Sequence, residues 1–140
     1  MPLKANDTAG AVTRKRIESY VATAEKVTVV AASDAATTQS AATLAAAGHV
    51  VYTMTPSTGR ALTTPTGAEL GAAFTDEAVG TSFEFTVVNV AAATHAITLT
   101  AGASGVTLGG VAGMATVAAA SSATFVGVFT AANTVTIYRK

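Results

Sequence analysis

Along Phe83-Glu84-Phe85-Thr86-Val87 apolar and polar side chains alternate, the period-two signature of a half-buried strand. The pattern returns at His95-Ala96-Ile97-Thr98-Leu99-Thr100, where Ile97 and Leu99 share one face and Thr98 and Thr100 the other. In the last run Val135 and Ile137 alternate with Thr134, Thr136 and Tyr138. Turn signals separate these runs: Asn89 and the small residues after it, residues 101–105, Gly109-Gly110, Ser121-Ser122 and Ala132-Asn133. Residues 102–113 read as a strand between turns, and residues 111–129 as two short strands around the Ser turn. Short strands with turns about every 8–12 residues predict an antiparallel sandwich or jelly roll for residues 80–140.

The amino-terminal half is less regular. Residues 1–16 show no sustained period and end in Arg14-Lys15-Arg16, which predicts an extended arm or a frayed terminus. Within residues 17–32, Tyr20-Val21 precedes the first convincing strand, Lys26 to Val30. The Ala/Thr/Ser stretch Ser33 to Ala47 leaves helix, loose strand and loop open, because Ala favours helix while Thr37, Thr38 and Ser40 dilute it. A strand over residues 48–54 stops at Pro56, and Arg60 to Thr63 forms a short one. One helix is predicted next, with Thr64 as N-cap, Pro65 in the first position and Glu69 near the positive end. Leu70, Ala73 and Phe74 form its apolar stripe. No internal repeat of 20–50 residues is visible, which argues against solenoids and propellers.

Composition adjusts this picture. The 140 residues fit one domain, residues 17–140, behind an arm of residues 1–16. Aromatics make up only 6% of a chain that is 50% hydrophobic, so the core is expected to be thin and assembly to supply part of the stability. Net charge is zero, giving no bulk attraction to nucleic acid or membrane. Its distribution is uneven. Residues 1–26 hold five basic and three acidic groups, residues 27–138 one basic and five acidic, and Arg139-Lys140 close the chain. Residues 85–138 carry no Asp, Glu, Lys or Arg. There is no cysteine, so disulfide and thiol chemistry are out, and the first twenty residues lack the apolar region of a signal peptide.

Candidate chemistry is sparse. His49 and His95 stand at strand starts without metal-ligand spacing and read as strand-end polar residues. No GxSxG elbow, GxGxxG fingerprint or P-loop occurs, and Asp76-Glu77 lie beyond a helix end as solvated carboxylates. The expectation is a non-enzymatic protein with no cofactor, metal, nucleic acid, membrane or small-molecule substrate.

The segments TPTGAEL (64–70), GTSFEFTVVN (80–89), ITLTAG (97–102), GVTL (105–108), SSATFVGVFT (121–130) and TVTIYRK (134–140) resemble the small β-sandwich decoration, or cement, proteins of tailed-bacteriophage capsids. The resemblance covers roughly residues 62–140, and Ser33 to Ala47 has no counterpart in it. It implies a mainly β jelly roll with a short helix and an arm, sitting outside the phage head. There it binds across major capsid proteins and holds the shell against internal pressure. It also implies a symmetric oligomer, a homodimer in preference to a homotrimer, made in the host cytoplasm. Arg14, Lys15, Arg16, Arg139 and Lys140 are the candidate capsid-contact residues, and open Thr/Val strand edges offer β-augmentation. The rival expectation is a fibre or receptor module binding carbohydrate, for which Tyr20, Tyr52 and Tyr138 make a poor platform.

Overall fold

A computed structural model describes residues 26–75 and 77–140. Ten strands and two short helices follow in order: β1 (Val27–Ala31), β2 (Thr37–Thr38), α1 (Ala41–Ala46), β3 (His49–Met54), β4 (Arg60–Thr63), α2 (Gly67–Ala73), β5 (Ser82–Asn89), β6 (Ile97–Thr100), β7 (Val106–Leu108), β8 (Thr116–Val117), β9 (Ser121–Ala131) and β10 (Thr134–Arg139). The strands predicted around Lys26 to Val30, residues 48–54, Arg60 to Thr63, Phe83 to Val87, His95 to Thr100 and Thr134 to Tyr138 are present, within a residue or two at their ends, while the one read across 102–113 shrinks to β7. Tyr20-Val21 and the boundary at residue 17 lie outside the described residues.

The strands form a six-stranded sheet, β1-β3-β5-β9-β10-β7, and a four-stranded sheet, β2-β4-β6-β8. Up to β8 the chain alternates between them, odd strands in the first and even strands in the second. From β1 to β6 each strand runs the same way as the next strand in its sheet. β1 with β3, β3 with β5, β2 with β4, and β4 with β6 are all parallel. The first six strands thus stack as three rungs of a coil. Antiparallel pairs appear where the coil closes, between β5 and β9, β9 and β10, and β6 and β8. β7 returns to parallel pairing with β10.

The mainly β expectation holds, but the antiparallel one does not: the sheets are mixed. The coil is likewise the solenoid-like winding that the lack of a sequence repeat argued against. Its rungs are unequal. The partner of Val27 is His49, 22 residues on, and the partner of His49 is Glu84, 35 residues on, because α2 and its flanking loops lengthen the second rung. Unequal rungs leave no fixed period in the sequence.

One hydrophobic core lies between the sheets, reaching from Leu44 and Val50 to Ile137. Alternation in β5 sends Phe83, Phe85 and Val87 inward and Glu84, Thr86 and Val88 outward. Phe85 stacks on its registered partner Phe125 at 5.3 Å between ring centres, and Tyr52 meets Phe85 edge-on at 6.3 Å. Each such ring contributes about 1.5–3 kcal/mol on full burial. The four Phe of β5 and β9 are buried as their phase predicts, while Phe74 is half-buried against Phe83 and Phe129.

Ser33 to Ala47 resolves into β2 and α1, so the described residues hold two helices rather than the one expected. Ser40 caps α1 by accepting from the Thr43 N–H, and Leu44 is its one buried side chain. The α2 cap falls at Thr66, two residues later than predicted. Thr66 and Glu69 form a reciprocal capping box. Thr64 is already committed to the sheet: its N–H donates to the Thr100 carbonyl at 2.9 Å, and its Oγ1 accepts from the Gly102 N–H at 2.8 Å. Ser121 and Ser122 open β9 instead of making a turn, which is completed just before them at Ala120, with φ +52°.

Candidate interaction surfaces

Because β3, β5 and β9 bury alternate side chains, their remaining side chains form the outer face of the six-stranded sheet. Val51, Thr53, Thr86, Val88, Thr124, Val126 and Val128 give it an uncharged, β-branched surface, half-exposed throughout. Three ionisable groups meet on it. Registry places His49 of β3 beside Glu84 of β5. Lys140 reaches Glu84 from the chain end, Nζ to Oε1 at 2.7 Å, with its own N–H donating to the Thr124 carbonyl at 2.9 Å.

His49 Nε2 lies 2.8 Å from Thr86 Oγ1, which is 2.8 Å from Thr124 Oγ1. On the other side, His49 Nδ1 is 3.8 Å from Glu84 Oε2. Hydroxyl, imidazole and carboxylate thus stand in the order of a nucleophile relay. The rest of such a site is missing. The Nδ1 distance is too long for a hydrogen bond, and Thr86 sits mid-strand in a sheet whose ladders consume the neighbouring backbone N–H groups. None is left to stabilise an oxyanion there. The row works as a lateral tie across three strands. His95 stands apart, in the loop two residues before β6, and no three His, Cys, Asp or Glu gather into a metal-binding group among the described residues.

At the end of β10 a shallow depression of about 610 Å³ is lined by Gly109 to Met114 and Tyr138 to Lys140. The Tyr138 ring packs over Gly109, where an added Cβ would come within 2.6 Å of it. Arg139 lines the same depression. Its Nη1 donates to the carbonyls of Thr116 at 2.8 Å and Met114 at 3.3 Å, tying the chain end to β8. Both predicted contact residues of the tail are therefore held by intramolecular bonds. Arg14, Lys15 and Arg16 lie outside the described residues.

A further charged pair sits past β1. Asp34 Oδ1 accepts from Arg60 Nε at 2.7 Å and from the Ser57 N–H at 3.1 Å. These bonds, led by that from Arg60, hold the Asp34 carboxyl well below the usual carboxylate range. Sequence reasoning missed this pair and the His49–Thr86–Thr124 row. The alternation placed Thr86 opposite the inward Phe83 and Phe85, but the registry that brings these residues together was not legible.

Among the described residues no helix is long and apolar enough to cross a membrane, and the uncharged stretch 111–129 is occupied by β8, a turn and most of β9. Compared with family models, curated proteins and solved structures, the chain matches none.

Proposed function

We propose that this chain is a non-enzymatic structural protein of a phage virion, binding the outside of the head and cementing contacts between major capsid proteins. The observation that carries the reading is the broad outer face of the six-stranded sheet. It is half-apolar and nearly uncharged, a surface suited to docking on a large protein partner. Among the described residues the hydroxyl–imidazole–carboxylate row on that face has no free backbone N–H beside Thr86 to hold an oxyanion, which favours binding over catalysis. The jelly-roll expectation rests on the resemblance to decoration proteins. Two sheets around one core support it, and the parallel rungs oppose it.

The test is co-sedimentation of the purified chain with DNA-filled heads stripped of decoration, over a salt series. Saturation at a fixed ratio to the major capsid protein is the expected result. Absence of head binding, with retention on tails or host cells, would instead favour the fibre or carbohydrate-binding reading, for which the exposed Tyr138 beside the depression is the available platform.

A further inference from the structure

Among the described residues β1 is the outermost strand of the six-stranded sheet, paired only with β3. The His49 N–H donates to the Lys26 carbonyl at 3.1 Å and the Ala32 N–H to the Thr53 carbonyl at 2.8 Å. Even-numbered residues therefore spend their backbone groups on β3. By the alternation of a parallel ladder, Val27, Val29 and Ala31 turn theirs toward the open edge. The same residues carry exposed side chains, Val27 at 57% and Val29 at 65%.

Native sheets blunt such edges with charge, proline, bulges or very short strands. β1 uses none of these: VTVVA is uncharged, lacks proline and keeps regular register over five residues. At the opposite edge β7 has three residues, and the four-stranded sheet ends in the two-residue strands β2 and β8. The charges flanking β1 are of opposite sign, with exposed Lys26 before it and Asp34 after it. Among the described residues both bonds to Asp34 fall on Oδ1 and none on Oδ2.

We propose that β1 pairs antiparallel with β1 of a second copy, about a two-fold axis at Val29. The two six-stranded sheets then run on as one. Val29 faces its own copy and Val27 faces Ala31, so each outward N–H and C=O of the strand meets its complement in an isologous contact. The direction follows from charge. Antiparallel pairing brings Lys26 of each copy toward Asp34 of the other, whereas parallel pairing sets Lys26 beside Lys26. The pairing is independent of the virion reading, since it needs no capsid.

The experiment uses the full chain, which has no cysteine of its own. Val29→Cys places two sulfurs across the two-fold axis, where Cα atoms of a hydrogen-bonded antiparallel pair lie about 5.5 Å apart, within disulfide reach. Val111→Cys is the control, on a residue 80% exposed beyond the opposite edge. Mild oxidation is expected to link the Val29→Cys chains at least about tenfold faster than the control. Sedimentation of the wild type is expected to give a dimer, and Val29→Lys a folded monomer with its dissociation constant raised about 100-fold or more. A wild-type monomer throughout the concentration series overturns the proposal. A shielded sulfur in the Val29→Cys monomer would then assign the edge to residues 1–25, and a reactive one to a different partner. A Val29→Lys chain that stays dimeric, or equal linking of the two cysteine variants, also overturns it.

Discussion

The Phe83 ring occupies the space that a side chain on Gly127 would need. The two are registered partners on β5 and β9, and both face the core. A large residue against none fills the sheet face where Phe74 and Phe129 also close around Phe83. Gly127→Ala is expected to overpack this contact and cost about 1–3 kcal/mol. Denaturant unfolding measures it. An unchanged midpoint would mean that the ring moves aside freely.

Asn89 ends β5 buried, at 1% exposure, and fastens the two sheets. Its Nδ2 donates to the carbonyls of His95 at 2.7 Å and Val117 at 3.0 Å, and its Oδ1 accepts from the Ala91 N–H at 3.1 Å. Asn89→Ala leaves these backbone groups without partners and is expected to cost about 2–3 kcal/mol. Asn89→Asp keeps the Oδ1 acceptor but loses the amide donor, so it should not restore stability near neutral pH. Thermal melts of the two variants test this.

Two exposed carboxylates set the acid response. Arg60 lowers Asp34, and the Thr66 backbone N–H, followed by the Thr66 hydroxyl, lowers Glu69. A carboxyl depressed in the folded state adds stability above its unfolded value, and that stability fades as pH falls through the folded value. The loss therefore begins below the ordinary values of 3.8 and 4.5 and continues downward. Denaturant unfolding between about pH 6 and about pH 3 should show a smaller drop in Asp34→Asn than in the wild type.

Tyr52 governs the alkaline side. Burial pushes its phenol from 10.0 up to about 12, the nearby Ser40 backbone opposing only in part. A phenol raised in the folded state leaves stability intact below 10 and removes it as pH climbs toward about 12. Tyr52→Phe should flatten that decline. Among the described residues the buried Gln39 carboxamide has no hydrogen-bond partner. Gln39→Met is accordingly expected to hold or raise stability at neutral pH, by up to about 2 kcal/mol. A clear loss in urea unfolding would mean that the amide is satisfied by an ordered water.

Lys140→Ala removes the pair with Glu84, in which the lysine side chain is 56% exposed. Such a pair contributes under about 1 kcal/mol to stability. On the virion reading, the same change alters head binding and its salt dependence more than folding. Parallel melts and co-sedimentation separate the two effects.

Much of the strand content was legible because Phe83 to Val87 or Thr134 to Tyr138 carry their phase locally. Strand partners were not. Nothing within Lys26 to Val30 says that β3 lies beside it in parallel, since pairing is decided by which rung the chain returns to. The α2 start was misplaced because Thr64 and Thr66 offer the same capping chemistry, and only contacts with Thr100 and Gly102 separate them. Asn89 read as a turn residue because its burial depends on β6 and β8, which follow it in the chain. The tail charges were legible as charges, but not as groups already spent on Glu84, Met114 and Thr116.

The alternation between sheets also constrains how the chain reaches its native state. Of the eight strand pairings only β9 with β10 joins neighbours in sequence through a tight turn, at Asn133 with φ +55°. That hairpin can form early. Every rung of the coil must then close a long loop before its strands gain any partner, a route that slows folding toward milliseconds to seconds. β5 lies between the hairpin and β3, and β1 pairs with β3 alone among the described residues. Any partly folded chain in which β1 has not yet paired exposes the edge of β3 in its place.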